Sequence, residues 1–275
     1  MNLGIMQPYF FPYIGYWQLM DLTDTYVIYD DVNFIKGGWI NRNRILGPEG
    51  PFYINVPCKN AGSGIKICEV GVDISPTYLR KISNKLTFAY RRAPYFEDVY
   101  PFIFDLISFK TDSLADYLAG AIEKTASRLG IETTFIRSSR VPLAPELRGQ
   151  KRVIEICRQL GAGAYYNAIG GVKLYSPGEF ENAGITLNFV KTGDVRYAQT
   201  FRSSAADDPL SSDLPGSSAA DDPFRPGLPG SSAAADTFCP DLSIIDVLMN
   251  TGWDGTRELL GRRIICSARD LTEQM

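Results

Sequence analysis

The chain contains no histidine. That absence excludes the Ser-His-Asp triad, the Cys-His pair, His-ligated zinc and an imidazole general base. Chemistry must then rest on carboxylates, Lys, Tyr, Cys, backbone amides or a metal held by oxygen ligands. Cysteine is sparse as well: Cys58, Cys68, Cys157, Cys239 and Cys266 are odd in number and form no C-x-x-C pair. This excludes a zinc ribbon and a thioredoxin-type motif, and reduced thiols are expected. No basic run stands out and the formal charge is −3, so duplex nucleic acid is not an expected partner. No stretch approaches the roughly 18 to 20 uninterrupted apolar residues of a membrane span. The opening Met1–Pro8 has neither a basic region nor a small-residue cleavage site, so it does not read as a signal peptide. A cytoplasmic protein is expected. There is no G-x-x-x-x-G-K-[ST], and the G-x-G at Gly161–Gly163 lacks its third glycine, so it reads as a helix stop.

What is present begins with 275 residues, 45% of them hydrophobic, enough for one sizeable α/β core. One segment stands apart from it. Units starting at Ser203, Ser217 and Ser231 repeat with a period of 14 and consist mainly of Ser, Ala, Asp, Pro and Gly. Such a composition buries too little to offset ordering entropy, so residues 203–237 are expected to form a disordered insert in a surface loop. The segment holds six Asp and one Arg, a net of −5 that leaves the rest of the chain about +2. The expected organisation is one α/β domain made of residues 1–202 and 238–275, interrupted by that insert.

In the folded part, Leu3–Gln7 reads as a first strand, Tyr16–Leu22 as a short helix and Thr25–Tyr29 as a buried strand, a βαβ opening. Phe52–Val56 and Ile65–Val72 read as two strands around the turn Asn60–Gly64. Helical periodicity covers Pro76–Arg91, Val99–Lys110 and Leu114–Leu129, the last with Ser113 and Asp116 imitating a capping box. Ile131–Arg137 reads as a strand, Leu147–Leu160 as a helix ended by Gly161, and Ala164–Asn167 and Ile185–Val190 as strands. Leu242–Asn250 is an amphipathic helix that stops at Gly252. This alternation predicts an α/β, Rossmann-like fold. Its mainly parallel sheet is flanked by helices and carries a small β-hairpin and helical addition.

Ligands of parallel sheets bind at the carboxyl ends of the strands, and the candidate residues gather there. The loop Gln7–Tyr16 carries two prolines and three tyrosines, reading either as an aromatic plug or as a hydroxyl-rich wall. Asp30 and Asp31 end a strand, where adjacent carboxylates suit a catalytic base or an oxygen-ligand site for Mg²⁺, or alternatively a solvated turn. Lys36, Trp39, Asn41, Arg42, Asn43 and Arg44 follow. The cations suit a phosphate or carboxylate, Trp39 suits a base or sugar, and Arg42 and Arg44 would share one face of a strand. The alternative is an exposed basic hairpin. Tyr165, Asn167, Gly170 and Gly171 form a strand running into a glycine pair whose amides could cradle an anion. Tyr197, Gln199 and Phe201 alternate as on a strand face. Asp246 and Asn250 share one helix face, where Asp246 is either functional or the partner of a buried Arg. Cys58 has a cation beside it in Lys59, which would lower its pKa, against the alternative of an inert thiol.

Five stretches carry a resemblance. Met6–Tyr16 (MQPYFFPYIGY), Asp30–Phe34 (DDVNF) and Trp39–Asn43 (WINRN) resemble the opening of the WbqC-like family, and Tyr197–Gln199 with Leu242–Asp246 resembles its C-terminal signature. The resemblance implies a role among bacterial O-antigen and other surface-polysaccharide gene products. It implies modification of an activated sugar by attachment of an acyl or aminoacyl group. The βαβ opening is also similar to the HxGH nucleotidyltransferase layout, with Pro12 and Tyr16 standing where its histidines would be. On these readings the expected function is a transferase forming an amide or ester on a nucleotide-activated amino sugar. Asp30 or Asp31 would be base or metal ligand, Arg42 and Lys36 would hold the diphosphate, and Trp39, Tyr165 and Tyr197 would line sugar and base. The remaining expected contacts are Gln7, Tyr16, Asn41, Asn43, Asn167, Gly170, Gly171, Gln199 and Asp246. Nucleotidyl transfer and a non-catalytic binding module of a polysaccharide assembly complex are the alternatives.

Overall fold

The computed structural model describes residues 1–200 and 238–272; the repeat at 203–237 and Phe201 lie outside the described residues. The chain opens with β1 (Asn2–Met6), α1 (Ile14–Met20) and β2 (Thr25–Ile28). A long excursion follows: β3 (Arg42–Gly47), β4 (Gly50–Asn55), β5 (Cys58–Lys59), β6 (Gly71–Val72), α2 (Pro76–Tyr90), α3 (Phe96–Ile107) and α4 (Leu114–Arg128). The chain returns through β7 (Thr134–Arg137), α5 (Gly149–Gln159), β8 (Ala164–Ala168), α6 (Pro177–Asn182) and β9 (Thr186–Thr192). It ends with α7 (Ile244–Leu260), β10 (Arg263–Ser267) and α8 (Ala268–Thr272).

The central sheet has the order β10-β9-β8-β1-β2-β7. Strands β7, β2, β1, β8 and β9 are parallel, and β10 closes the far edge antiparallel to β9. The expected α/β architecture with a mainly parallel sheet is therefore present. Both faces are covered, which is why β1 and β2 read as continuous apolar runs. Leu3, Ile5, Val27, Tyr165, Leu187 and Phe189 pack on one face against Val153, Ile156 and Cys157 of α5 and Phe180 of α6. Tyr26, Ile28 and Val190 face the opposite way, into the larger core built with α1, α4 and α7. Gly4 points to that side too, where a Cβ would come within 3.0 Å of the Tyr26 ring.

From β1 the chain moves to β2 and then β7 on one side, then crosses to β8 and β9 on the other. The direction of winding reverses between β1 and β8, so the crevice beyond their carboxyl ends is where an open sheet of this kind takes a ligand.

Three expectations are corrected. Phe52–Val56 does not pair with Ile65–Val72. Strand β4 folds back on β3 through the turn Gly47–Gly50, with Gly50 at φ +111, and β5 pairs with β6. The middle of Ile65–Val72 is instead a 3-10 turn (Ile67–Glu69), whose Glu69 carboxylate accepts the Lys66 amide at 3.0 Å. Residues 193–200 form no strand, so Tyr197 and Gln199 are not placed by a ladder. The antiparallel β10 was not anticipated.

Helix α7 contains a break. Gly252 takes φ 67 and ψ −175 and splits the helix, at the stop the sequence suggests. Among the described residues no helix is long and apolar enough to cross a membrane.

At Gly252 both the backbone and the space demand glycine. A Cβ would lie 2.7 Å from the Tyr95 ring in a conformation that side chains avoid. Gly252→Ala is expected to lower stability by about 1–3 kcal/mol in urea unfolding; an unchanged midpoint would contradict this packing.

Candidate functional site

The carboxyl end of β2 carries Asp30 and Asp31, which meet the residues following β7. Asp30 Oδ1 accepts from Ser138 Oγ at 3.1 Å and from the Ser139 amide at 2.9 Å. Its Oδ2 accepts from Ser139 Oγ at 3.0 Å and from Arg137 Nη1 at 3.1 Å. Arg137 also donates to Asp116, at the start of α4, at 2.7 Å. Asp31 accepts from Ser138 Oγ and pairs with Arg152 of α5, whose guanidinium lies 5.7 Å from the centre of the Tyr29 ring. Burial of Tyr29 pushes its hydroxyl up to about 12. Two guanidinium groups thus already neutralise the two carboxylates, and Asp30 has four donors. The donor set does not fit a divalent cation at this junction, and among the described residues no group of three or more acidic or Cys side chains could hold one. The side chain of Asp31 keeps 14% of its surface, against 2% for Asp30, so Asp31 is the more exposed of the two carboxylates. Arg137, Ser138, Ser139 and Arg152 were missed from sequence. The Ser-Ser pair directly after a strand was the available signal.

The loop after β1 runs Gln7–Tyr13 through the interior with almost no hydrogen bonds of its own. Asn43 of β3 donates through Nδ2 to the Phe10 carbonyl at 3.1 Å and the Phe11 carbonyl at 2.7 Å. Ser243, the N-cap of α7, donates to the Phe11 carbonyl at 2.8 Å, and the Ile244 amide and Trp17 indole donate to the Pro12 carbonyl at 3.0 Å each. Phe11 itself sits at φ 43. Tyr16 is buried and its hydroxyl donates to the Gln7 carbonyl at 3.1 Å, while Gln7 is half-buried. Asn41 is a rung between the hairpin and Val56, donating to that carbonyl at 3.2 Å. Asn43 and Asn41 therefore organise the backbone.

The strand alternation that sends Asn43 inward sends Arg42 and Arg44 outward. The Arg42 guanidinium lies 4.4 Å from the centre of the Tyr53 ring and donates to the Gly37 carbonyl; that of Arg44 lies 5.7 Å from Trp39. Both Nε atoms are buried without an acceptor, and neither arginine meets a carboxylate among the described residues. Trp39 is 41% exposed, and Lys36 is exposed beside it. The Phe10 amide donates to the Trp39 carbonyl at 3.2 Å, joining this cationic, aromatic face to the β1 loop.

Near the start of β8, Tyr165 is fully buried against Phe180 on the α5 side, its hydroxyl 3.1 Å from that of Tyr175. It lies in the core and does not join Trp39. Asn167 is buried and caps the Ala168 amide with its own Oδ1 at 2.7 Å. Gly171 needs to be glycine because a Cβ would meet Asn167 Nδ2 at 2.6 Å; Gly170 has open space.

Asp246, in the first turn of α7, is fully buried. Its partners are tyrosines and an amide, and not an arginine. Tyr90 and Tyr197 each donate to it at 2.7 Å and Gln199 at 3.3 Å. Gln199 also exchanges two hydrogen bonds with the backbone of Cys239, at 2.8 and 2.9 Å. Asn250 accepts from the amide and hydroxyl of Thr200 at 2.8 Å each. Burial pushes Asp246 up, and hydrogen bonds from Tyr90, Tyr197, Gln199 and the Leu46 backbone pull it partly back. Cys58 does not gain from Lys59: burial raises its thiol to about 11.

Comparison with known proteins supplies the context. The model of the WbqC-like protein family matches residues 7–205, a span holding the β1 loop, the hairpin and the Asp30–Ser138 junction. The uncharacterized protein Rv1507c of Mycobacterium tuberculosis (strain ATCC 25618 / H37Rv) is 28% identical over 166 residues, covering 60% of this chain and 71% of that protein. No solved structure matches.

Two outcomes test this geometry. Asn43→Ala leaves the Phe10 carbonyl buried without a donor and is expected to lower stability by about 1–3 kcal/mol; an unchanged urea midpoint would contradict the assignment. Asp246 has a raised pKa in the folded state, so it binds its proton more tightly there than in the unfolded chain. Its contribution is fully present below the ordinary carboxylate range and is lost as pH rises from about 4 towards the folded value. Subtracting the stability profile of Asp246→Asn from that of the parent should expose this falling slope, and a rising difference would overturn it.

Proposed function

The chain belongs to the WbqC-like protein family, and on that premise we propose that it is a cytoplasmic transferase of bacterial surface-polysaccharide biosynthesis. It forms an amide or ester on a nucleotide-activated amino sugar. The observation that carries this reading is the face built by Trp39, Arg42, Arg44 and Tyr53. Two guanidinium groups without a carboxylate partner among the described residues stand beside an exposed indole. A guanidinium fork matches phosphate oxygens, and an exposed indole stacks on a base. Together they suit a nucleoside diphosphate.

In this reading Arg42 and Arg44 hold the diphosphate, Lys36 adds charge at the rim, and Trp39 carries the base. The sugar reaches the crevice beyond β1 and β8, past Gln7 and towards Gly170. There Asp31 is the carboxylate able to accept a proton from the sugar amine or hydroxyl as it attacks the carbonyl carbon of an activated acyl donor, whose bond to its leaving group breaks, the leaving group departing with the electron pair. Arg152 orients that carboxylate, while Asp30 anchors β2 to β7. Tyr197, Gln199 and Asp246 act by fixing the chain around α7, and Tyr165 and Asn167 support the β8 end. Nucleotidyl transfer has less support: at the positions of its histidines Pro12 is buried and the Tyr16 hydroxyl is engaged by the Gln7 carbonyl.

The test is a thermal-shift panel of UDP-glucosamine, glucosamine, ATP and CTP, each with and without Mg²⁺. At 100 times its dissociation constant a ligand adds roughly 2.7 kcal/mol, a readable shift. A rise with UDP-glucosamine, reduced in Arg42→Ala and in Arg44→Ala, is the expected result. A rise with ATP or CTP alone, with pyrophosphate release, would replace this reading by nucleotidyl transfer. A panel flat for every compound would replace it by a non-catalytic binding module.

A further inference from the structure

Between Asp73 and Glu97 the sequence holds Arg80, Lys81, Lys85, Arg91 and Arg92 and no acidic residue. In a chain with more acidic than basic groups overall, that is a local excess of five positive charges. Most of this stretch is α2, which lies beside the hairpin.

A cleft of about 340 Å³ opens between α2 and the end of β4. Small-ligand sites begin at about this size. Lys81 and Lys85 line it, one helical turn apart on the same face, together with Asn55, Ser75 and Thr77. Neither lysine is ion-paired among the described residues. Lys85 Nζ donates to the Tyr53 carbonyl at 3.0 Å, which fixes the ammonium at the cleft wall and leaves it further protons to donate. Burial lowers the pKa of Lys85 and the neighbouring Lys81 charge lowers it further, while no carboxylate acts on it in the opposite direction. Like charges at this spacing repel, and a bound anion would remove that cost.

The other wall supplies donors as well. Ser75 caps α2 by accepting the Tyr78 amide at 3.3 Å, so its own hydroxyl proton is free to point into the cleft. Pro76 occupies the first helical position, and the first turn carries no acidic side chain. The Thr77 hydroxyl and the Asn55 amide have no hydrogen-bond partner among the described residues. Two ammonium groups, two hydroxyls and an amide therefore converge on one concave space that no carboxylate lines.

We propose that the cleft formed by Asn55, Ser75, Thr77, Lys81 and Lys85 is a binding site for a diphosphate-bearing small molecule. Two ammonium charges a helical turn apart match the two phosphoryl groups of one diphosphate, and the hydroxyls and amide complete its oxygen shell. Neither Arg42 nor Arg44 lines this cleft. The site stands whether or not the arginine face takes a nucleotide sugar.

The experiment is isothermal titration of the full chain with inorganic pyrophosphate and, separately, with uridine diphosphate, at low and at 0.5 M NaCl. The expected result is saturable binding of one pyrophosphate that weakens steeply with salt. It should weaken at least tenfold in Lys81→Gln, whose side chain has no hydrogen-bond partner among the described residues, and further in Lys81→Gln/Lys85→Gln. Arg42→Ala should leave it unchanged, which separates this site from the proposed substrate face. Tighter binding of uridine diphosphate with the same lysine dependence supports the site and names a nucleotide as the source of the diphosphate. Absence of saturable binding, binding indifferent to Lys81→Gln, or binding lost only in Arg42→Ala would each overturn the proposal.

Discussion

The capture of three consecutive backbone carbonyls holds the functional part of this molecule together. Phe10, Phe11 and Pro12 run through the interior in a conformation that makes neither helix nor strand, and buried carbonyls must find donors. The donors come from remote parts of the chain: Asn43 in the hairpin, Ser243 and Ile244 at the start of α7, and Trp17 in α1. One loop thereby locks the first strand to the hairpin and to the last long helix. The positive φ of Phe11 is tolerated because these partners over-determine its position.

The arginine face follows from that lock. Because Asn43 must point inward to reach the loop, its neighbours Arg42 and Arg44 must point outward, and the antiparallel register sets Tyr53 opposite Arg44. Indole and phenol faces support the guanidinium groups from the side, leaving edges open to an anion. A one-residue slip of β3 would bury both arginines and expose the asparagine, so the arginine face and the structural anchor share one register.

The fold was largely legible because β1, β2, β8 and β9 are apolar runs separated by helical periodicity, the pattern of a sheet covered on both faces. The strand ends also brought Asp30, Asp31 and the hairpin forward as candidates. What local pattern could not supply was partners. Asp30 and Ser138 are 108 residues apart, and Asp246 meets Tyr90 across 156, so a carboxylate read as open in sequence is saturated in space. Tyr165 illustrates the same limit from the other side. Alternation placed it on a strand, but which sheet face it enters depends on helices packed from elsewhere, and it became core. The apparent strand at Ile65–Val72 failed because the Glu69 side chain offers the backbone a tight turn in place of a ladder.

The charge distribution then separates roles that composition merges. Arg137 and Arg152 are consumed by Asp30, Asp31 and Asp116, and they weld α4, α5, β2 and β7 at the carboxyl edge of the sheet. With half-buried pairs, removing one partner strands the other, so each side of this junction depends on its counterpart staying in place. Arg42, Arg44, Lys81 and Lys85 meet no such acid in the described fold, and all four flank the same hairpin. Beside β3 and β4, then, four cations stand without an acidic partner among the described residues, two of them backed by aromatic rings and one held by the Tyr53 carbonyl.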